Sequence, residues 1–300
     1  MRNLQFQAGR CSLIDVPAPS PKPGQVLLRL KGTLVDETHL QDFRAGVQQA
    51  PFLVCGEVLQ PGPGVIGMRR GQAVLTVCTQ PLGTYLLVAV ESVLPVSQNR
   101  AASCLLLGIA LALKAVPAAE EYPESTVIAG VGFVGLALSA LLKTTTPWVF
   151  GTSDAALICA KDLGASHSKE WPQALEELDE QGVEERGFGA TLIETTGRLQ
   201  NRQWAQILTL KGGTVVMATP AGPGGDTMEV DAGRLHYDQI TWKALGPLQA
   251  QEIAVAQDHL DQIPDSLVSD CLPFSQIEKA FELLDAERGV CYLMSNDSEF

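Results

Sequence analysis

The sequence predicts an α/β fold in which a small β-rich unit precedes a doubly wound parallel sheet. Within residues 1–100, short β-type runs are separated by turn motifs such as Pro61-Gly-Pro-Gly64, which is typical of a small barrel. From Ser125 onward, strand-like and helix-like segments alternate, which is typical of parallel βαβ units. A glycine-rich turn directly after the first of these later strands supports the same class.

The β-rich unit has four predicted strands, at residues 25–30, 52–59, 72–78 and 84–90. A helix is predicted over residues 101–116. Its apolar run is interrupted by Ser103 and Lys114, so we interpret it as a buried helix and not as a membrane span. The later part has predicted strands at 126–129, 148–151, 190–194 and 213–218, with one more after Trp242. Its predicted helices are 134–142, 155–163, 201–209, 250–260 and 275–284.

Composition narrows the class of partner. The chain has 300 residues, of which 46% are hydrophobic, and its net charge is −13, so it can bury about two domain cores and repels phosphate backbones and anionic membranes. The cysteine count of seven is odd, and no Cys-x-x-Cys pair occurs, which argues against a disulfide framework. The N-terminal residues lack the apolar core of a signal peptide. We therefore expect a cytoplasmic protein with a small-molecule substrate and no nucleic-acid or membrane partner.

The strongest chemical motif is the Gly-x-Gly-x-x-Gly turn at residues 130–135, between a predicted strand and a predicted helix. Gly130 permits a tight turn, Gly132 lets the backbone approach a diphosphate, and Gly135 lets the helix pack closely. The free N–H groups at the helix start, near Phe133 and Val134, would then bind the diphosphate. The motif predicts a dinucleotide site.

The end of the next strand bears on which dinucleotide binds. An acidic residue there would accept hydrogen bonds from the ribose hydroxyls of NAD, but this position falls on Gly151, followed by Thr152 and Ser153. Small hydroxyl residues can bind a 2′-phosphate, so the sequence favours NADP(H) over NAD(H). Asp154 has the wrong charge for that phosphate, and no Lys or Arg follows immediately.

Several ordered segments resemble the medium-chain dehydrogenase/reductase superfamily, which includes the zinc-type alcohol dehydrogenases. They are residues 17–31, 60–74, 189–197, 210–217, 235–241 and 272–284. The resemblance implies a GroES-like β-barrel domain built from residues 1–117 and 247–300, and a Rossmann domain at 118–246. It also implies a homodimer and a substrate cleft between the domains.

The chain departs from the zinc-bearing relatives at every metal-ligand position. The family's cysteine falls on Asp36, its Gly-His-Glu segment falls on residues 51–53 (Pro-Phe-Leu), and its last ligand falls near Leu107. Phenylalanine and leucine offer no donor to Zn²⁺, and the cysteine-rich structural-zinc lobe is missing. We therefore expect no zinc. A rebuilt site from Asp36, His39 and Glu57 is the remaining metal alternative.

Without zinc, side chains must stabilise charge at the reacting carbonyl. Thr38 matches the family's proton-relay hydroxyl, and His39 could feed that relay as an acid or base. Asp36 would face the nicotinamide end, and Tyr85 is a weaker candidate. A structural explanation stays open for each: a turn hydroxyl, a surface histidine, a helix cap and a core tyrosine. His236 is interpreted as structural.

Two further positions are predicted on the cofactor side. Thr195 and Thr196 follow one strand, and Ala218 and Thr219 end another, where ligands bind in open α/β sheets. The glycines at 222, 224 and 225 suggest a mobile loop over the cofactor, or a plain surface turn.

The resulting hypothesis is a zinc-independent NADP(H) oxidoreductase acting on a ketone or alcohol, an enone or an imine. Two alternatives stay open: a catalytically inactive binding or scaffold protein that keeps the cofactor fold, and a metal-using dehydrogenase with a rebuilt site.

Overall fold

The structure is a computed structural model. It describes residues 2–7, 10–17, 19–45, 51–78, 82–97, 100–142, 145–170, 188–220 and 227–295. The glycine-rich loop predicted at 222–225 lies outside the described residues.

The N-terminal unit and the extreme C-terminal segment form one sheet of seven strands in the described chain, together with a separate hairpin of β1 and β2. These strands are β1 (Arg2–Gln7), β2 (Arg10–Asp15), β3 (Gln25–Asp36), β4 (Phe52–Pro61), β5 (Ala73–Cys78), β6 (Tyr85–Ala89), β7 (Leu94–Pro95), β14 (Asp270–Pro273) and β15 (Cys291–Ser295). The strand order is β14-β15-β3-β4-β5-β7, with β6 also paired to β3, and only the β14–β15 pair is parallel. Strands from both ends of the described chain therefore share this sheet, which is consistent with a GroES-like domain.

The central segment forms a six-stranded sheet in which every neighbouring pair is parallel. Its strands are β8 (Thr126–Ala129), β9 (Trp148–Gly151), β10 (His167–Glu170), β11 (Gly189–Glu194), β12 (Thr209–Met217) and β13 (Thr241–Ala244). The spatial order β10-β9-β8-β11-β12-β13 reverses direction between β8 and β11. Ligands bind at such a switch point, outside the carboxyl ends of the strands. This is the predicted Rossmann sheet.

Eight α-helices are described. They are α1 (Glu37–Ala45), α2 (Leu105–Glu121), α3 (Phe133–Leu141), α4 (Asp154–Asp162), α5 (Leu199–Leu208), α6 (Ala232–Asp238), α7 (Ala250–Asp258) and α8 (Ile277–Asp285). Helix α2 packs against α3 and α7 and contributes much of the largest core cluster. The helical stretch Ala101–Glu121 is long and apolar enough to cross a membrane by composition, but most of its apolar window is buried inside the protein. It is the predicted core helix.

The chain differs from the predicted elements most at the end of β3. The strand continues to Asp36, because β15 pairs with its second half, and α1 begins at the next residue. Helix α1 was not predicted. Glu37 in its first turn and Arg44 in its last suit the helix dipole. The β1–β2 hairpin and strands β10, β14 and β15 were also not predicted from the sequence.

Candidate active site

The glycine turn has the geometry that its sequence predicts. Gly130 has a φ of +123°, and a Cβ there would lie 2.5 Å from Thr195 Oγ1. A Cβ on Gly135 would lie 2.0 Å from the Gly130 carbonyl oxygen. Both positions therefore exclude any side chain. The turn lies at the carboxyl end of β8, beside the switch point.

Asp36 lies against the start of α3. Its Oδ2 accepts a hydrogen bond from the backbone N–H of Phe133 at 2.6 Å, and its Oδ1 accepts one from the Thr38 N–H at 3.0 Å. A Cβ on Gly132 would lie 2.7 Å from Asp36 Oδ2. The carboxylate therefore uses a helix N-terminal donor expected to bind diphosphate. Both oxygens of Asp36 are thus bonded within the protein, and its position at the nicotinamide end stays a prediction.

Asp36 also orients His39. The ring nitrogen Nδ1 lies 2.8 Å from Asp36 Oδ1 and 3.2 Å from the Asp36 backbone nitrogen. A proton on Nδ1 bonds the ring to the carboxylate, and the tautomer without that proton accepts the backbone N–H instead. Burial alone would raise the pKa of the Asp36 carboxyl. The charge of His39 and the hydrogen bonds from His39, Phe133 and Thr38 outweigh burial and hold the pKa below its ordinary value. The pair is therefore a fixed carboxylate–imidazole dyad.

The other ring nitrogen of His39 has no hydrogen-bond partner among the described residues, although it is buried. The ring stacks on Phe52, with centroids 4.3 Å apart, and the residue is only 3% exposed. His39 is therefore not a surface histidine. Its Nε2 is a free acid or base position held by the dyad.

Three cavities lie along the carboxyl edge of the parallel sheet. The first has a volume of about 280 Å³ and is lined by Glu37, Thr38, Gln41, Gly130, Val131, Gly151, Thr152, Thr196, Arg198, Gln200, Asn201 and Trp204. The second, of about 460 Å³, is lined mainly by apolar groups, and Leu107, Leu111, Ala218 and Thr219 are among them. A narrow cavity of about 20 Å³ shares Thr38 with the first and Thr219 with the second, and His39 lines it. The shared lining residues make the three cavities neighbours along this edge of the sheet.

Two buried polar atoms in the narrow cavity lack partners in the described chain: His39 Nε2 and Thr219 Oγ1. Buried polar groups are almost always hydrogen-bonded in native proteins, and exceptions often mark functional positions. These two atoms are therefore the best candidates to contact a ligand that occupies these cavities.

The strand end after β11 carries a network that the sequence did not reveal. Glu194 is fully buried, and its Oε1 accepts hydrogen bonds from the backbone of Thr196 and Gly197 and from the Thr196 hydroxyl. Arg202 donates to Glu194 Oε2 at 3.2 Å and to the Thr219 carbonyl at 2.8 Å. Burial raises the pKa of the Glu194 carboxyl, although these partners oppose it. The network fixes two strand ends relative to each other.

The hydroxyls of Thr195 and Thr196 are consequently engaged inside the protein. Thr195 Oγ1 donates to the Ala129 carbonyl at 3.1 Å, while that of Thr196 is bound to Glu194. Both residues line the narrow cavity, but their hydroxyls are bonded to other protein groups and are not offered to a ligand. Ala218 and Thr219 line the second cavity.

The end of β9 has partners that sequence reasoning missed. The Thr152 hydroxyl donates to Glu37 Oε1, and Gln41 Nε2 donates to both groups at 2.7 Å. The Ser153 hydroxyl donates to Glu287 Oε2 at 2.8 Å. Burial raises the pKa of the Glu37 carboxyl, with the bonds from Thr152 and Gln41 opposing it. The two hydroxyls predicted to bind a 2′-phosphate are therefore already bonded to carboxylates.

The donor set does not fit a zinc ion. The described residues contain no group of three His, Cys, Asp or Glu side chains that could hold a metal. Glu57 lies in an ion pair with Arg29 at 2.9 Å and near Lys31 at 3.5 Å, so it does not join Asp36 and His39. The rebuilt metal site predicted from these three residues is not assembled.

The remaining candidates lie elsewhere. Tyr85 is on β6 and lines none of the three cavities, and His236 is on α6 and stacks edge-on with Tyr237. Leu107 and Leu53, at or beside the positions of the family's zinc ligands, line the second and narrow cavities. These cavities therefore adjoin the family's catalytic position, with apolar groups in place of metal donors.

Comparison with known proteins identifies the fold. No family model and no curated protein matches the sequence, but solved structures match over the whole chain. A zinc-dependent alcohol dehydrogenase 2 from Streptococcus pneumonia is 20% identical with a TM-score of 0.65, covering 99% of each chain. A protein named as a zinc-binding dehydrogenase from Sinorhizobium meliloti 1021, bound to NADP, is 16% identical with a TM-score of 0.61, covering 98% of this chain and 99% of its own.

A third structure is a short chain alcohol dehydrogenase from E. coli CFT073 in complex with NADH. It is 18% identical with a TM-score of 0.61, and 98% of each chain is covered. The chain therefore has the fold of the alcohol dehydrogenase-like oxidoreductases, as its resemblance to the medium-chain superfamily predicted.

Proposed function

We propose that the chain is a metal-independent oxidoreductase that moves a hydride between a nicotinamide dinucleotide and a ketone or alcohol, an enone or an imine of a small molecule. The observation that carries this proposal is the glycine turn at the switch point. Added Cβ atoms at Gly130 and Gly135 would meet neighbouring atoms at 2.5 Å and 2.0 Å. The first cavity and the narrow cavity are lined by residues of the turn, and the second cavity adjoins the narrow one through Thr219. This arrangement suits an elongated ligand with a central diphosphate.

The cavities support a division of the cofactor between the two larger ones. Trp204 lines the first cavity and offers an aromatic face to a base, so this cavity suits the adenosine half. The apolar second cavity suits the nicotinamide and the substrate. The bound cofactor would supply or accept the hydride. Because Asp36 already accepts the Phe133 N–H, a diphosphate would bind through other donors of the helix start.

The chain's own residues supply the proton chemistry. His39 Nε2 lines the narrow cavity without a partner in the described chain, and Asp36 fixes the ring through Nδ1 at 2.8 Å. We assign His39 as the general acid or base at the substrate oxygen or carbon. Thr219 Oγ1, the other unpartnered atom, would orient the substrate. Apolar residues such as Leu107 and Leu111 would exclude water from the second cavity.

The choice between the two nicotinamide cofactors is a separate question. The sequence predicted NADP(H) from the absence of a carboxylate at Gly151, and no observation tests that preference directly. Glu37 and Glu287 are evidence against it, since they bind the Thr152 and Ser153 hydroxyls.

Calorimetric titration of the purified chain with NADH and with NADPH tests the proposal directly. We expect saturable binding of at least one of them, and oxidation of the bound form by a member of a ketone, enone and imine panel. Stoichiometric zinc in the purified protein, or a failure to bind either nucleotide, would contradict it.

One observation favours a second function. The Asp36–Phe133 bond is 2.6 Å long and supplies the helix start with an internal anion, which a chain without a cofactor would need. In that case the protein keeps the fold as a binding or scaffold module. If the purified protein unfolds cooperatively but binds neither NADH nor NADPH at millimolar concentration, this second function is supported.

A further inference from the structure

The end of β9 cannot carry the acidic residue that usually binds the adenosine ribose. A Cβ on Gly151 would lie 2.3 Å from Val131 Cγ2, and this valine belongs to the glycine turn itself. The glycine is therefore a packing requirement. Its presence says nothing by itself about which ribose the chain prefers.

Two carboxylates from outside the parallel sheet reach the same strand end. Glu37 comes from the first turn of α1, and Glu287 follows the end of α8. Glu37 accepts the hydroxyl proton of Thr152, and Glu287 accepts that of Ser153. Glu287 also accepts the Ala155 N–H at 2.9 Å. The end of β9 is therefore acidic, although its own sequence is not.

Glu37 still has an acceptor to offer. Its Oε1 receives the bonds from Thr152 and Gln41, whereas its Oε2 receives none from the described residues. The side chain lines the 280 Å³ cavity, and the residue is only 5% exposed. Oε2 is not among the buried atoms that lack a partner, so it is reached from the cavity, where two ribose hydroxyls could donate to it.

The cation in the described lining of the cavity is bonded within the protein through its terminal NH2 group, while its Nε has no partner. The cationic residue there is Arg198, and it donates to Asp42 at 2.5 Å and to the Thr38 carbonyl at 3.1 Å. A 2′-phosphate would bring a charge of about −2 close to the carboxylates of Glu37 and Glu287, and like charges repel each other.

We propose that Glu37, assisted by Glu287, determines cofactor specificity by accepting hydrogen bonds from a free ribose 2′,3′-diol, so that the chain uses NAD(H) and excludes NADP(H). This inference rests on the proposed function, and it reverses the preference predicted from Gly151. It assigns to α1 and to the segment after α8 the function that the second strand of the parallel sheet usually has.

The test compares dissociation constants for NADH and NADPH, measured by calorimetry on the whole chain. We expect the unmodified protein to bind NADH about 100-fold more tightly, and Glu37→Gln to reduce that ratio about tenfold, because one charged hydrogen-bond acceptor and one repulsive charge are lost. Glu37→Gln/Glu287→Gln should reduce the ratio further. Glu278→Gln is the matched control, since it removes a charge from the start of α8 and should leave the ratio unchanged.

Glu287→Gln alone provides a second route, because Glu287 is exposed and its change should not disturb folding. It should lower the ratio in the same direction. The inference is overturned if the unmodified chain prefers NADPH, or if neither Glu37→Gln nor Glu287→Gln changes the ratio. Those results would leave the proposed oxidoreductase intact. Binding of neither nucleotide would overturn the proposed function, and this inference with it.

Discussion

Asp36→Asn removes the charge from a buried carboxylate that accepts hydrogen bonds from His39, Thr38 and Phe133. An asparagine has the same shape, but one of its two ends is an NH₂ group. If that end faces Phe133, the Phe133 N–H loses its acceptor. If it faces His39 instead, the Thr38 N–H loses its acceptor. In either orientation a buried backbone donor is left unpaired.

The free-energy cost follows from those losses. An unpaired buried donor costs about 1–3 kcal/mol, and loss of the charge from the remaining bonds adds about 1 kcal/mol. We therefore expect Asp36→Asn to lower the free energy of unfolding by about 2–4 kcal/mol at neutral pH. Urea denaturation followed by circular dichroism measures this value.

The loss should depend on pH with a defined sign. The folded-state pKa of Asp36 lies below its ordinary value, so its charged form stabilises the fold above the unfolded-state pKa of about 3.9. That stabilisation disappears as the pH falls through the folded-state pKa. The difference between the two proteins should therefore shrink in strong acid.

The matched control is Asp285→Asn, which breaks a surface pair with Arg44 in which both side chains are more than 40% exposed. It should change the free energy of unfolding by less than about 0.5 kcal/mol. A loss below about 1 kcal/mol for Asp36→Asn at neutral pH, or a loss that does not change with pH, would refute the assignment of Asp36 as an ionised anchor at the start of α3.

Four further outcomes follow from the site. His39→Gln should lower kcat by about 10²-fold or more, as expected for loss of a general acid, with the dissociation constant for NADH unchanged; calorimetry and turnover assays separate the two. Gly135→Ala should abolish nucleotide binding and lower the melting temperature, because its Cβ would lie 2.0 Å from the Gly130 carbonyl oxygen. Near-native nucleotide binding by this variant would contradict the assignment of the glycine turn as the diphosphate site. Burial raises the pKa of Glu37, so discrimination against NADPH should be full above that pKa and weaken as the pH falls through it and the carboxyl becomes neutral; titrations across acid pH show this. Dialysis against a chelator should leave activity and melting temperature unchanged, and loss of either would restore the metal alternative.

The parallel sheet and the glycine turn could be predicted because both are encoded locally. Strands β8 and β9 are short apolar runs bounded by turns, and Gly130 and Gly135 occupy positions where no other residue fits. The predicted strand at 25–30 was shorter than β3, because the second half of β3 is defined by its pairing with β15. The residues around Lys31 contain no local pattern that indicates this distant partner.

The ribose end of the site could not be predicted for the same reason. Thr152 and Ser153 looked free to bind a phosphate, but their partners Glu37 and Glu287 lie 115 and 134 residues away in sequence. Residue spacing predicts contacts within a motif, and it does not predict contacts between residues more than about a hundred positions apart. The bond of Asp36 to Phe133 could not be predicted either, because it depends on how the two sheets meet.

The pairing of β15 with β3 has a consequence for biosynthesis. Cys291 lies opposite Asp36, so the strand that ends in Asp36 gains this neighbour only after residues 291–295 have left the ribosome. The central α/β layers can form earlier, since their six strands are contiguous in the chain between β8 and β13. The parallel sheet of the nascent chain could thus form before the sheet that includes β15, and a nonsense mutation ahead of residue 291 would leave the first without the complete second.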